Sequence, residues 1–140
     1  MDRLLDHRGL RLFMWAMAAF YAYGASIHVM NIAGMSGFDW TGAPLKWQVL
    51  DIVYLALDVT IVWGAVRRAG YALPLLAVAA LSQIGLYTAG RGWVLDVPPD
   101  YRPPAGAESY LDGLVAFHVV TLVVMSALIA LALRRPSPPA

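Results

Sequence analysis

The chain is 140 residues long, 60% hydrophobic and only 14% charged, with a mean hydropathy of +0.63. It is too apolar for an ordinary soluble domain and short enough to be a single one. A net charge of +1 without a concentrated basic patch argues against a nucleic-acid partner, and the lack of cysteine excludes disulfides, thiolate metal sites and iron–sulfur clusters.

Four apolar stretches predict an all-α fold, a transmembrane four-helix up-and-down bundle with the lipid bilayer as its solvent. The first, 12–34, reads LFMWAMAAFYAYGASIHVMNIAG. It runs past the length of a signal peptide and lacks a small-residue cleavage site, so a retained span is expected. Tyr21 and His28 are seven residues apart and share a face, with Gly24 and Ala25 between them giving backbone clearance. Ala18, Ala22 and Ser26 fall at four-residue spacing and would let a neighbouring helix come close.

The second stretch, 47–66, is WQVLDIVYLALDVTIVWGAV. It is almost wholly apolar and about 20 residues long, enough to cross a bilayer. Asp51 and Asp58 are seven positions apart, so at about 100° per residue their directions differ by only about 20°, with Tyr54 on the same stripe. An ionised acid facing lipid near the bilayer centre costs roughly 3 kcal/mol or more, so this face must be covered. Pro44 suits the first turn of this helix, where a missing N–H costs nothing.

The third stretch, 71–90, has Pro74 in its first turn and places Gln83 and Tyr87 four residues apart on one face. The loop 91–110, GRGWVLDVPPDYRPPAGAES, is rich in proline and glycine and carries the apolar wedge Trp93-Val94-Leu95. It is expected to lie across the outer mouth of the helices as a lid. The fourth stretch, 111–133, opens on Ser109-Tyr110-Leu111-Asp112, a capping-box pattern that would leave Asp112 bonded to backbone donors. His118, Thr121 and Met125 share a face of it. The 136–140 tail, PSPPA, reads as disordered.

The basic residues set the expected orientation. Arg3, Arg8, Arg11, Arg67, Arg68, Arg134 and Arg135 fall on one side, against Lys46, Arg91 and Arg102 on the other. The positive-inside rule then puts both termini and the 67–70 turn in the cytoplasm, of a bacterial inner membrane in the absence of any contrary signal. Trp15, Trp63 and Tyr71 fall at the inner boundary, and Trp40, Trp47, Trp93, Tyr101 and Tyr110 at the outer one, as an aromatic belt requires.

Counting heights at about 1.5 Å per residue puts His28 roughly 9 Å below the outer end of its span, Asp51 about 6 Å, His118 and Gln83 about 10 Å, and Asp58 near the midplane. All four spans thus place a polar group in the outward half, while the inward half has almost none. The candidate ligand-binding set is Asp58, Asp51, His118, His28, Gln83, Tyr54, Tyr21 and Tyr87.

Each has a plainer role. His28 can be solvated at the interface, Asp51 can pair with Lys46, and Gln83 and His118 can bond between helices. Asp58 stands apart, because no Lys or Arg lies within any span to neutralise it. It is expected to hydrogen-bond His118, Gln83 or Tyr21.

Three function classes remain. One is a polar pocket that binds or conducts a small solute, a proton or an amphipathic ligand, with a homodimer needed for a transport path. The second is a scaffold subunit of a larger membrane complex. The third is a redox protein in which His28 and His118 ligate a haem b iron or another metal. No catalytic motif is present to favour an enzyme, and no cofactor is named by any motif.

Overall fold

The computed structural model describes residues 2–103 and 105–134; Arg135 and the 136–140 tail, with the expectations placed on them, lie outside the described residues. After a 3-10 turn at Asp2–Asp6, the chain forms α1 (Arg8–Ile32), α2 (Leu45–Arg67), α3 (Ala72–Tyr87), the short α4 (Arg91–Leu95) and α5 (Ala107–Leu133), with a second 3-10 turn at Pro99–Tyr101. Every element among the described residues is helical, as expected. Helices α1, α2 and α5 are each long and apolar enough to cross a membrane.

The third stretch differs from its reading. Helix α3 is 16 residues long, or about 24 Å, short of a hydrocarbon core of about 30 Å. It stops where Thr88 leaves helical geometry (φ −110°, ψ −83°). The chain then turns tightly, with the Gly90 N–H donating to the Gly85 carbonyl at 2.9 Å. A Cβ at Gly90 would sit 2.8 Å from the Leu86 carbonyl oxygen, so the turn needs glycine. Arg91 then donates from Nε to the Tyr87 carbonyl at 2.9 Å and starts α4.

The helix ends are closed by local chemistry. Pro44 is the N-cap of α2, and Pro74 falls in the first turn of α3 as anticipated. Helix α2 ends in a Schellman-type turn: Arg68 adopts φ +55°, and the Ala69 N–H donates to Gly64 at 2.9 Å. The capping box at Ser109 does not form. Helix α5 starts earlier, after Gly106 at φ +96°, so Ser109 and Asp112 lie inside it. Asp112 pairs instead with the Arg91 guanidinium.

Helix α1 packs on α2 and α5, and α3 packs on the same two. The apolar core is concentrated toward the α1 N-terminus: Leu10, Met14, Met17, Ala18 and Tyr21 of α1 meet Ile61 and Ala65 of α2, Leu73, Leu76 and Ala79 of α3, and Met125 of α5. Phe20 stacks on Phe117 with ring centroids 4.0 Å apart, joining α1 to α5. At the α2–α3 turn Gly64 is buried against Tyr71 and Ala72, and a Cβ there would come within 2.7 Å of the Tyr71 ring.

Ala18 is buried in this core, but Ala22 and Ser26 are turned outward, so the small-residue stripe does not carry the close helix contact. Gly24 does. A Cβ at Gly24 would lie 2.6 Å from an Asp58 carboxylate oxygen. The outer surface is strongly apolar, with Val119, Val120, Val123 and Leu131 of α5 and Val53 and Val59 of α2 exposed. So large an apolar exterior suits hydrocarbon better than water.

Candidate functional site

The α2 stripe turns inward as its seven-residue spacing requires. Tyr54 and Asp58 are buried and Asp51 is half-buried, and both acids face His28 of α1. Nδ1 of His28 lies 2.6 Å from Oδ1 of Asp51. On the other side of the ring, Nε2 lies 3.9 Å from Oδ2 of Asp58. One imidazole therefore stands between two carboxylates, close to the first and just beyond hydrogen-bond reach of the second. The Tyr54 ring lies nearly parallel to it, with centroids 6.5 Å apart and planes at 15°. Gly24, one turn below His28, provides the room for Asp58.

Beside this pair is a cavity of about 270 Å³. Its walls are aromatic (Phe38, Trp47, Tyr54, Tyr87 and Tyr110) and aliphatic (Leu50, Val94, Leu95 and Leu111), and its polar patch is His28, Asn31 and Asp51. Such a lining, mostly apolar with a few convergent polar groups, is what small-molecule sites use. A larger adjoining cavity shares Asn31, Phe38, Trp47, Pro103 and Tyr110 with it and adds Asp39, Asp100, Tyr101 and Arg102.

The segment after α3 closes one side. Trp47 donates from its indole N–H to the Val94 carbonyl at 2.9 Å. The Lys46 ammonium donates to the carbonyls of Trp93 and Asp96 at the end of α4 and lies 5.3 Å from the Trp93 ring centroid. Lys46 therefore caps α4 and is not the partner of Asp51, since the free carbonyls of a helix end attract a cation.

In the 35–46 loop, Asp39 accepts from the Gly42 N–H at 3.0 Å, the Thr41 hydroxyl at 3.1 Å and the Tyr101 hydroxyl at 3.1 Å. These three donors, the Gly42 backbone first, hold its carboxyl below the usual carboxylate range. They tie the loop to the segment after α4.

The eight anticipated residues divide between two places. His28, Asp51, Tyr54 and Tyr87 line the cavity, and Asp58 adjoins it through His28. Tyr21, Gln83 and His118 do not line it. His118 is fully buried lower in α5, where Nδ1 donates to the Leu114 carbonyl at 2.7 Å and Nε2 has no partner among the described residues.

The neighbours of His118 are aromatic. Phe117 and Phe20 present ring edges or faces at 5.2 and 6.3 Å. The Tyr21 hydroxyl is likewise buried without a partner, and Gln83 is half-buried on α3. Among the described residues the basic side chain within 4 Å of Asp58 is His28, and no hydrogen bond joins Asp58 to His118, Gln83 or Tyr21.

Beyond Tyr54 and Tyr87, the cavity's aromatic wall was not anticipated from the sequence. Trp47, expected in the membrane-boundary belt, points into the cavity, and Tyr101 packs edge-on against it at 6.4 Å. Phe38, Asn31 and Leu50 carried no signal that could single them out.

The helices and this site define an all-helical membrane protein with an aromatic pocket set against a histidine–aspartate pair. No group of three or more His, Asp or Glu among the described residues is placed to hold a metal ion. No family model, curated protein or solved structure matches the chain.

Proposed function

We propose that the protein is a four-helix up-and-down bundle in a cytoplasmic membrane, both termini inside, that binds a small amphipathic ligand in an outward-facing pocket. The observation carrying this reading is the cavity beside the His28–Asp51 pair. Its aromatic and aliphatic walls suit an apolar body, and its one polar patch suits a head group. The clustering of arginines at the opposite end supports the orientation. In this reading α3, the turn after it and α4 together complete the fourth crossing.

Native mass spectrometry of protein released gently from membranes tests the binding. A small amphiphile should stay attached to the wild type and be lost from Leu50→Trp, which fills the cavity. Equal retention by both, or by neither, overturns the reading. The chain's lack of cysteine makes the topology test clean. In intact cells an impermeant maleimide should label Ser36→Cys and not Ala69→Cys.

Proton conduction is a second reading, favoured by His28 standing between two carboxylates. A proton taken up at one ring nitrogen can leave from the other, carrying charge between Asp51 and Asp58. It predicts proton flux in proteoliposomes that His28→Phe abolishes.

A further inference from the structure

We propose that the pocket is selective for amphiphiles with a cationic, ammonium-type head, seated against Asp51 within the aromatic walls. This rests on the pocket reading above and adds the sign of the ligand's charge. Among the described residues the cavity lining contains one carboxylate, Asp51, and no lysine or arginine. The nearest cations on the same end are committed elsewhere: Lys46 to the α4 carbonyls and Arg91 to Asp112.

Element by element, the polar groups facing the cavity are one acid, one histidine and neutral side chains. Helix α1 presents His28 and Asn31, α2 presents Asp51, α3 presents Tyr87, and α5 presents Tyr110. Asp58 stands behind His28 and adds a second acid to the same patch. Arg102 belongs to the larger adjoining cavity, where Asp39 and Asp100 outnumber it.

Among the described residues only Oδ1 of Asp51 is hydrogen-bonded, to His28, so Oδ2 is available to a ligand. The walls complete the argument. Trp47, Tyr54, Tyr87, Tyr110 and Phe38 converge on the cavity, and aromatic faces attract an alkylammonium through the ring quadrupole. Among the described residues, an anionic head would meet the Asp51 carboxylate and no basic side chain but a histidine already engaged. A neutral head would gain the apolar contacts alone.

The test uses the full chain in lipid nanodiscs, with empty nanodiscs as blank, and isothermal titration of three probes of equal tail: hexyltrimethylammonium, hexanol and hexyl sulfate. The ammonium should bind saturably and about tenfold or more tighter than the sulfate. Asp51→Asn keeps an acceptor for the His28 ring. It should bring ammonium binding down to the level of hexanol.

Sulfate binding as tight as ammonium overturns the charge assignment while the pocket stands, and so does a folded Asp51→Asn protein with undiminished ammonium affinity. If that variant fails to fold, the wild-type ranking of the three probes decides. Failure of all three probes to bind, or binding that Leu50→Trp does not reduce, overturns the pocket and this proposal together.

Discussion

Gly24→Ala adds a single methyl group to α1, and the structure says what it meets. The new Cβ would lie 2.6 Å from Oδ2 of Asp58 and 3.6 Å from its carboxyl carbon. Ordinary carbon–oxygen contact needs several tenths of an ångström more, so either the buried carboxyl turns or α1 and α2 part. Overpacking of this kind costs about 1–3 kcal/mol. Alanine is also the better helix former by about 1 kcal/mol, so a net loss of up to about 2 kcal/mol is expected.

Gly85→Ala is the control, because nothing lies within 4 Å of its added Cβ; it should be neutral or mildly stabilising. Thermal unfolding in detergent reads both. The sharper measurement is a double-mutant cycle. With Asp58→Ala in place the clash is gone, and Gly24→Ala should then stabilise. A Gly24→Ala protein more stable than wild type, or one equally destabilised in both backgrounds, would refute the close approach of Gly24 and Asp58.

Three further outcomes are expected. His118→Leu should leave stability unchanged or raise it by up to about 1 kcal/mol, since it removes a buried ring nitrogen that has no partner; probe binding should be unaffected, and its loss would place His118 at the ligand. Lys46→Met should free the end of α4, seen as faster hydrogen exchange at the α4 amides Val94 and Leu95, with α2 unaltered. The contribution of Asp39, whose carboxyl is held low, is fully present above the ordinary carboxylate range and is lost as pH falls through its lowered value. The protection of the Gly42 amide relative to its intrinsic exchange rate should therefore fall on acidification, and Asp39→Asn should abolish that pH dependence.

The helices and the α2 stripe were readable because spacing alone fixes which residues share a face. Asp51, Tyr54 and Asp58 turn together to one side, and height counting put His28 and Asp51 in the same outward half without pairing them. Which neighbours a buried face meets was not readable. Helix α5 does bury the face of His118, Thr121 and Met125, but nothing in its pattern names what packs there, and His118 at the right height came to rest among phenylalanines.

The break after Tyr87 was hidden too, because a tight turn closed by Gly85 and Gly90 looks like any apolar run ending in glycine. Trp47 was misplaced for a related reason. A boundary tryptophan and a pocket tryptophan occupy the same depth, and only the packing of α4 and Tyr101 onto it separates them.

A single imidazole serving two acids has a consequence of its own. His28 cannot draw closer to Asp58 without loosening its hold on Asp51, so the two carboxyls compete for one ring. Whatever tugs Asp51 toward the cavity thereby alters the surroundings of an acid about two helical turns deeper, with no helix having to move.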